Sequence, residues 1–210
     1  MSYKDWLTNL KQNKAIAVIR APEISLGRQM ALAVAGGGIQ FIEITWNSHR
    51  AADLIMQLNA ELPDCTIGTG TLLNLQQMQA AIAAGAQFLF TPHIELAMIQ
   101  AAVSVGIPII PGALSPTEIV TAWSSGAECV KVFPVEAVGG AQYIKSLQGP
   151  LGHIPLIPTG GVTLENAQEF LQAGAIAVGL SSQLFPKKFV EAGDWEAISQ
   201  QARNLLQTIN

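Results

Sequence analysis

The chain has 210 residues, 50% of them hydrophobic and 12% charged, with a formal net charge of −4. This length and composition indicate a single folded domain over residues 1–210 and argue against disorder. The Lys and Arg residues form no basic stripe, so we do not expect nucleic acid as a partner. No apolar run approaches the roughly 18 residues of a membrane span, and residues 1–14 are unlike a signal peptide, so we do not expect a membrane as a partner either.

Eight short apolar runs predict eight β-strands. In chain order they are Ala15–Arg20, Phe41–Thr45, Thr66–Gly70, Phe88–Thr91, Pro108–Gly112, Cys129–Phe133, Ile154–Thr159 and Ala177–Gly179. Each run is nearly continuous in apolar residues, which is typical of parallel strands buried on both faces.

The segments between these runs predict helices, and a further short helix is expected before the first strand. Residues that commonly cap or begin helices precede four of the segments: Ser48, Asn74, Ser115-Pro116 and Thr163. Asn166, rather than Glu, stands at the third position after Thr163. Glycines end five of the Ala-rich stretches, around residues 36–38, 85, 106, 126 and 174, where a left-handed conformation is needed.

Repeating units of roughly 20 to 25 residues, with no long linker, favour a compact (β/α)₈ barrel, the TIM-barrel fold of the α/β class. A doubly wound open sheet is the alternative, because the number of strands does not prove that the sheet closes.

Cys65 and Cys129 are too few for a disulfide framework and too far apart for a metal motif. We therefore expect both to be reduced thiols of a cytoplasmic protein. His49, His93 and His153 are scattered without ligand spacing, so we expect no metal.

Unusual polar residues fall where the predicted strands end, which is where a barrel of this kind carries its chemistry. In chain order they are Arg20, Glu43, Asn47, Gly68-Thr69-Gly70-Thr71, Thr91-Pro92-His93, Lys131, Thr159-Gly160-Gly161 and Ser181-Ser182.

Lys131 lies in the most apolar of the strand runs, between Val130 and Val132. An ammonium group there loses hydration, which costs several kcal/mol unless a partner relieves it. Burial favours the uncharged amine, the nucleophile that a Schiff-base enzyme needs. A lysine whose stem packs while its head reaches water is an equally good interpretation of this strand alone.

Glu43 is likewise a lone charge inside an apolar strand. Taken alone, it is best interpreted as one half of a structural ion pair with Lys131 or Arg20. A carboxylate and an amine that face one cavity can also form an acid–base and nucleophile pair.

The Gly160-Gly161 and Ser181-Ser182 segments each precede a predicted helix, after the seventh and eighth strands. Backbone N–H groups at two such helix N-termini form the usual phosphate site of a barrel. A glycine pair alone could equally serve tight packing.

Taken together, six motifs in order along the chain resemble the class I 2-keto-3-deoxy-6-phosphogluconate (KDPG) aldolase family, whose members often also cleave 4-hydroxy-2-oxoglutarate (KHG). The motifs are Ile42-Glu43-Ile44-Thr45, Gly68-Thr69-Gly70-Thr71, Thr91-Pro92, Ile110-Pro111-Gly112, Val130-Lys131-Val132-Phe133-Pro134 and Pro158-Thr159-Gly160-Gly161-Val162.

The resemblance implies a carbon–carbon lyase in which Lys131 forms a Schiff base with the substrate ketone and Glu43 transfers protons. It implies no cofactor or metal, a small phosphorylated 2-keto acid as substrate, and a homotrimer. The pyruvate half would be lined by Thr71, Pro92 and Thr159, and the phosphate would be bound by Gly160, Gly161, Ser181 and Ser182.

Two positions depart from the family pattern. Asn47 stands where many members have an arginine that binds the pyruvate carboxylate, and Ser181 stands where a glycine is common. The segment around Asn47 is more similar to the sister 6-phosphogalactonate aldolases, which keep an arginine at the position of Arg20. Arg20 and Asn47 are therefore both candidate carboxylate-binding residues.

The resulting expectation is cleavage of KDPG to pyruvate and glyceraldehyde 3-phosphate, as in the Entner–Doudoroff pathway. The 6-phosphogalactonate epimer is the alternative substrate. A phosphosugar isomerase or synthase, or a non-catalytic barrel that binds a phosphorylated ligand, would use the same fold.

Overall fold

The computed structural model describes residues 3–210 and contains all eight predicted strands. Several are shorter than the apolar runs, because the outer residues of those runs lie in the adjoining loops. The strands are β1 (Ala15–Ile19), β2 (Phe41–Thr45), β3 (Thr66–Gly70), β4 (Leu89–Phe90), β5 (Ile109–Ile110 and Gly112–Ala113, on either side of Pro111), β6 (Val130–Val132), β7 (Leu156–Pro158) and β8 (Val178–Leu180).

Helices alternate with these strands, and the short N-terminal helix expected from the sequence is present. The α-helices are α1 (Tyr3–Asn13), α2 (Ile24–Gly36), α3 (Ala51–Glu61), α4 (Leu75–Ala83), α5 (Leu96–Ser104), α6 (Pro116–Ser124), α7 (Gly140–Leu151), α8 (Ala167–Gln172), α9 (Lys187–Ala192) and α10 (Trp195–Ile209). A 3₁₀ helix covers Val135–Val138, directly after β6.

Strand pairing closes the sheet into a barrel. The first part of β5 begins a parallel series that runs through β4, β3, β2 and β1 to β8. The second part of β5 pairs with β6, and β6 pairs with β7. Thr159, directly after β7, forms a parallel bridge with Gly179 of β8. Because pairing returns to its starting strand, the predicted (β/α)₈ barrel is confirmed and the open doubly wound sheet is excluded.

The N-terminal end of the barrel is filled by apolar side chains. Helix α1 covers this end, where Trp6 is 2% exposed and Leu10 is fully buried. The Trp6 ring packs against Phe88 and Phe41, with centroids 5.9 and 6.1 Å away. A ligand can therefore reach the barrel axis only from the C-terminal end of the strands, where the polar residues were predicted to meet.

Two of the predicted helix caps are confirmed. The Asn74 side chain accepts a hydrogen bond from the Gln77 backbone at 2.9 Å, and Ser115 forms a capping box with Glu118. The prediction for Ser48 is wrong, since α3 begins at Ala51. The Ser48 hydroxyl is buried and instead accepts a hydrogen bond from the backbone N–H of Ala21 at 3.1 Å, which ties the loops after β1 and β2 together.

Thr163 caps a turn rather than the first turn of α8, which begins at Ala167. The backbone N–H of Thr163 donates to Asn166 Oδ1 at 2.7 Å, and the backbone N–H of Asn166 donates to Thr163 Oγ1 at 3.2 Å. Asn166 and Thr163 therefore form the two reciprocal hydrogen bonds of a capping box, with Asn166 in the position usually occupied by Glu. Its Nδ2 also donates to the Gly161 carbonyl at 3.0 Å, which fixes the loop after β7.

The glycines that end the helices have the expected conformation. Their φ angles are all positive, at Gly38, Gly85, Gly106, Gly126 and Gly174. A side chain would be strained at each of these positions, so the glycine turns mark the helix ends correctly.

Candidate active site

A cavity of about 630 Å³ opens at the C-terminal end of the strands. With one exception, the predicted site residues line it, although they come from seven of the eight strands or the loops that follow them. The predicted residues that line the cavity are Arg20, Glu43, Thr71, Pro92, Lys131, Thr159, Gly160, Gly161, Ser181 and Ser182. The exception, Asn47, is exposed and is not part of the lining.

Lys131 is 6% exposed and is held in the middle of β6, which pairs on both sides. Its Nζ lies 4.7 Å from the centroid of the Phe133 ring and 5.5 Å from that of Phe90. Among residues 3–210 it forms no ion pair with a carboxylate. The amine is therefore desolvated and surrounded by aromatic faces, which attract a cation but do not neutralise it.

Glu43 is 2% exposed, and burial raises the pKa of its carboxyl group, while attraction to Lys131 and Arg20 lowers it in part. Within the described part of the chain its Oε1 has no hydrogen-bond partner, and it forms no ion pair with either base. The structural ion pair considered from the sequence is thus not formed. A buried carboxyl group that lines a cavity and is not held in an ion pair is suited to exchange protons with a ligand.

Gly70 leaves the space that the Glu43 side chain occupies. A β-carbon at position 70 would overlap the Glu43 carboxyl group and lie 2.5 Å from its Cδ. Glu43 and Gly70 lie on the neighbouring strands β2 and β3, where Glu43 pairs with Gly68 and Gly70 pairs with Thr45. The Gly-Thr-Gly-Thr motif therefore has a packing reason at its second glycine. Thr71, which follows, has a φ of 61°, an uncommon and strained value for a β-branched residue, on the cavity wall.

The loop after β7 is bound to the segment that follows Lys131. The backbone N–H of Val135 donates to the Thr159 carbonyl at 3.0 Å, and that of Glu136 donates to the Gly160 carbonyl at 3.1 Å. Gly160 and Gly161 have φ angles of 80° and 99°, so both need glycine. The loop is consequently held in place by backbone contacts on one side and by Asn166 on the other.

The helix N-termini expected next to the phosphate segments are displaced from them. Helix α8 begins at Ala167 and α9 at Lys187, each several residues beyond the predicted phosphate segment. The Gly160-Gly161 and Ser181-Ser182 segments thus lie in turns after β7 and β8 rather than at helix N-termini, and phosphate binding at these turns stays a prediction.

Arg20 lies on the cavity rim, where the loop after β1 begins. It also lines a neighbouring cavity of about 460 Å³, together with Ser181 and Ser182. In the described residues it is paired with neither Glu23 nor Glu43, so its guanidinium group is available to an anionic ligand.

Several lining residues were missed by the sequence analysis. Val18 and Thr45 lie two positions from Arg20 and Glu43, so the alternation of side chains along a strand could have identified them. Glu136 belongs to the 3₁₀ helix, and no periodic pattern marks it. The other missed residues are Phe133, Val162, Thr163, Gly179 and Gln183.

Within residues 3–210, no group of three or more His, Cys, Asp or Glu side chains is arranged to hold a metal ion. In the same part of the chain, no helix is both long and apolar enough to cross a membrane.

Comparison with known proteins gives a consistent result. Residues 7–201 match the family model described as KDPG and KHG aldolase. A 2-dehydro-3-deoxy-phosphogluconate aldolase of Dickeya dadantii is 33% identical over 204 residues, which cover 95% of this chain and 96% of the relative.

Two solved structures are also similar. One is a KDPG aldolase of Legionella pneumophila with pyruvate captured as a covalent carbinolamine intermediate, at a TM-score of 0.85 and 29% identity, covering 91% of this chain and 93% of the other. The other is a native KDPGal structure, at a TM-score of 0.80 and 33% identity, covering 92% and 96%.

The raised pKa of Glu43 predicts how stability depends on pH. Because the pKa of Glu43 is raised in the folded state, its contribution to the free energy of unfolding is fully present below pH 4.5, the usual pKa of a glutamate. This contribution is lost as the pH rises through the pKa of the folded state. We therefore expect Glu43→Gln, which cannot ionise, to become more stable than the wild type as pH rises from 4 to 8. The difference in free energy of unfolding, from urea denaturation, should exceed the roughly 0.5 kcal/mol of surface substitutions.

Glu169 is exposed, so Glu169→Gln is the matched control. Its free energy of unfolding should equal that of the wild type at each pH. A Glu43→Gln protein that is less stable than the wild type at pH 8 would contradict this prediction, since it would mean that the ionised carboxylate is stabilised by Lys131 and Arg20.

Proposed function

We propose that this chain, which belongs to the KDPG and KHG aldolase family, cleaves KDPG to pyruvate and glyceraldehyde 3-phosphate through a Schiff base on Lys131. The family predicted from the motifs is confirmed by these similarities. The observation that carries the proposal is the desolvated, unpaired amine of Lys131, which shares one cavity with the unpaired carboxyl group of Glu43.

The chemistry begins when neutral Lys131 attacks the C2 ketone of the substrate. Loss of water from the carbinolamine gives a protonated imine, which can accept an electron pair. The C3–C4 bond then breaks, its electrons form an enamine, and the C4 hydroxyl loses its proton as the aldehyde product forms. Protonation of the enamine at C3 and hydrolysis of the imine release pyruvate and restore the amine.

Glu43 is the proton-transfer group in this proposal. It relays protons as the carbinolamine forms and collapses, and it accepts the C4 hydroxyl proton, through a water molecule, as the C3–C4 bond breaks. Burial supports this role, because a carboxyl group with a raised pKa takes up a proton more readily near neutral pH.

Residues around this pair would hold the two ends of the substrate. In the proposal, Thr71, Pro92 and Thr159 line the pyruvate half, and Arg20 binds the carboxylate. The phosphate binds at the turns of Gly160, Gly161, Ser181 and Ser182. All of these residues line the same cavity, which supports their common role.

The galactonate-derived epimer is the second candidate substrate. Two observations favour this epimer. Arg20 lines the cavity whereas Asn47 does not, and the chain is 33% identical to a KDPGal structure. KHG is a third, since the family description includes it. The homotrimer that the resemblance implied stays a prediction.

The substrate proposal is tested by pyruvate release from KDPG, its galactonate epimer and KHG, measured with the wild type. Turnover of KDPG with the highest kcat/KM would support the proposal. Preference for the epimer would move the assignment to the galactonate series. Turnover of none of the three would remove the proposed function.

Glu43→Gln should reduce kcat by roughly 10²-fold or more, because general acid–base help is typically worth 10²–10⁴-fold and the amide cannot accept the proton. Circular dichroism should show that the variant remains folded. A variant that melts well below the wild type but keeps its turnover would instead assign Glu43 a structural role.

Arg20→Ala should raise KM for substrate about tenfold, corresponding to about 1.4 kcal/mol, because the bidentate, charge-assisted contact to the carboxylate is lost. Arg20→Lys should recover only part of this contact. Asn47→Ala is the matched comparison and should leave KM unchanged. The reverse result, with a large defect only in Asn47→Ala, would return carboxylate binding to the family's usual position.

A further inference from the structure

Glu136 brings a negative charge to the end of the cavity where the substrate phosphate is proposed to bind. It lies in the 3₁₀ helix after β6, and its backbone N–H donates to the Gly160 carbonyl at 3.1 Å. This contact fixes the backbone of Glu136 relative to the Gly160–Gly161 loop. The position of the charge is therefore set by the same strand end that carries Lys131.

The side chain of Glu136 is directed along this loop. A β-carbon at Gly161 would overlap the β-carbon of Glu136 and lie 2.9 Å from its Oε2. The carboxylate therefore packs against the α-carbon of Gly161. Glu136 also lines the 630 Å³ cavity together with Gly160 and Gly161, so a ligand at the loop meets this carboxylate.

The Glu136 carboxylate is exposed and has no positively charged partner among residues 3–210. In the part of the chain that the structure describes, Glu136 forms no ion pair, and its side chain accepts no hydrogen bond. Glu118 provides a contrast, since its carboxylate accepts hydrogen bonds from the Ser115 backbone and hydroxyl. The mechanism assigns no proton transfer to Glu136.

We infer that Glu136 is a specificity-determining residue that weakens binding of a doubly charged terminal phosphate at the Gly160–Gly161 loop. The inference rests on the proposed function, because the proposed function places the substrate phosphate at this loop. A single negative charge next to a dianion, in water and at moderate ionic strength, disfavours it by roughly 3- to 10-fold. A neutral hydroxyl terminus is not repelled in this way.

This arrangement narrows the difference in affinity between phosphorylated 2-keto-3-deoxy acids and their unphosphorylated counterparts. The carboxylate repels the dianion, while the hydroxyl of an unphosphorylated substrate can donate a hydrogen bond to it. Selectivity for phosphate is thus set by the balance between the backbone N–H groups of the turns and the charge of Glu136.

The test compares Glu136→Gln with a matched control, Glu169→Gln. Both substitutions remove one negative charge and preserve side-chain size. Glu169, in α8, lines a smaller cavity of about 310 Å³ on the other side of Gly161 together with Glu136, but it does not line the active-site cavity. Dissociation constants for inorganic phosphate are measured by calorimetry, and KM is measured for KDPG and for its unphosphorylated analogue.

Glu136→Gln should bind inorganic phosphate 3- to 10-fold more tightly than the wild type and lower KM for KDPG by a similar factor. KM for the unphosphorylated analogue should not fall. Glu169→Gln should change each constant less than 2-fold, and Glu136→Asp, which keeps the charge, should remain close to the wild type. At 1 M salt the advantage of Glu136→Gln should largely disappear, because the charge is screened.

Unchanged or weaker phosphate binding in Glu136→Gln would overturn the inference, as would an equal gain in Glu169→Gln or a gain that persists at 1 M salt. Failure of the proposed function gives a different result. A wild type that cleaves none of KDPG, its galactonate epimer and KHG would remove the function, while tighter phosphate binding by Glu136→Gln alone would still support the inference.

Discussion

The barrel keeps two buried ionisable groups, Lys131 and Glu43, in one cavity without joining them in an ion pair. Burying an unpaired charge costs several kcal/mol, so Glu43 is biased toward its uncharged form. This bias is visible as a raised pKa of the Glu43 carboxyl group. For Lys131 the surrounding groups are the rings of Phe90 and Phe133 rather than a carboxylate. An ion pair between them would occupy both groups and fill the space between them.

The rest of the structure makes this arrangement possible. Helix α1 fills one end of the barrel with Trp6 and Leu10, so that the charged groups face only the open end. Glycine at position 70 leaves room for the Glu43 side chain, and the segment after Lys131 is fixed to the loop after β7 by two backbone hydrogen bonds. Lys131, the proposed nucleophile, and the turns proposed to bind phosphate are therefore positioned by one continuous set of contacts.

Much of the fold could be predicted because the strands are buried on both faces and the helices end at glycines, two patterns that the sequence displays directly. Closure could not be predicted from strand number, because it depends on the pairing of Thr159 with Gly179, which is a tertiary contact. Ser48 misled the helix assignment, since its hydroxyl binds the Ala21 backbone in another loop rather than its own helix.

The site was partly predictable for a similar reason. Lone charges in apolar strands, such as Lys131 and Glu43, stand out in the sequence. Asn47 was predicted as a site residue because many family members have a carboxylate-binding arginine at its position. No sequence pattern indicates where the side chain of an exposed loop residue points. Glu136 was missed because it lies in a 3₁₀ turn, where neither the alternation of a strand nor the period of a long helix identifies the face of a side chain.

The central claim is that Lys131 forms an imine with a 2-keto acid, and borohydride reduction in the presence of pyruvate tests it most directly. The reduced adduct is stable and can be located by peptide mapping with mass spectrometry. The account predicts one irreversible adduct in the wild type, on the peptide that contains Lys131, and none in Lys131→Ala. An adduct on Lys11, Lys14 or Lys145 that persists in Lys131→Ala, or no adduct in the wild type, would contradict it.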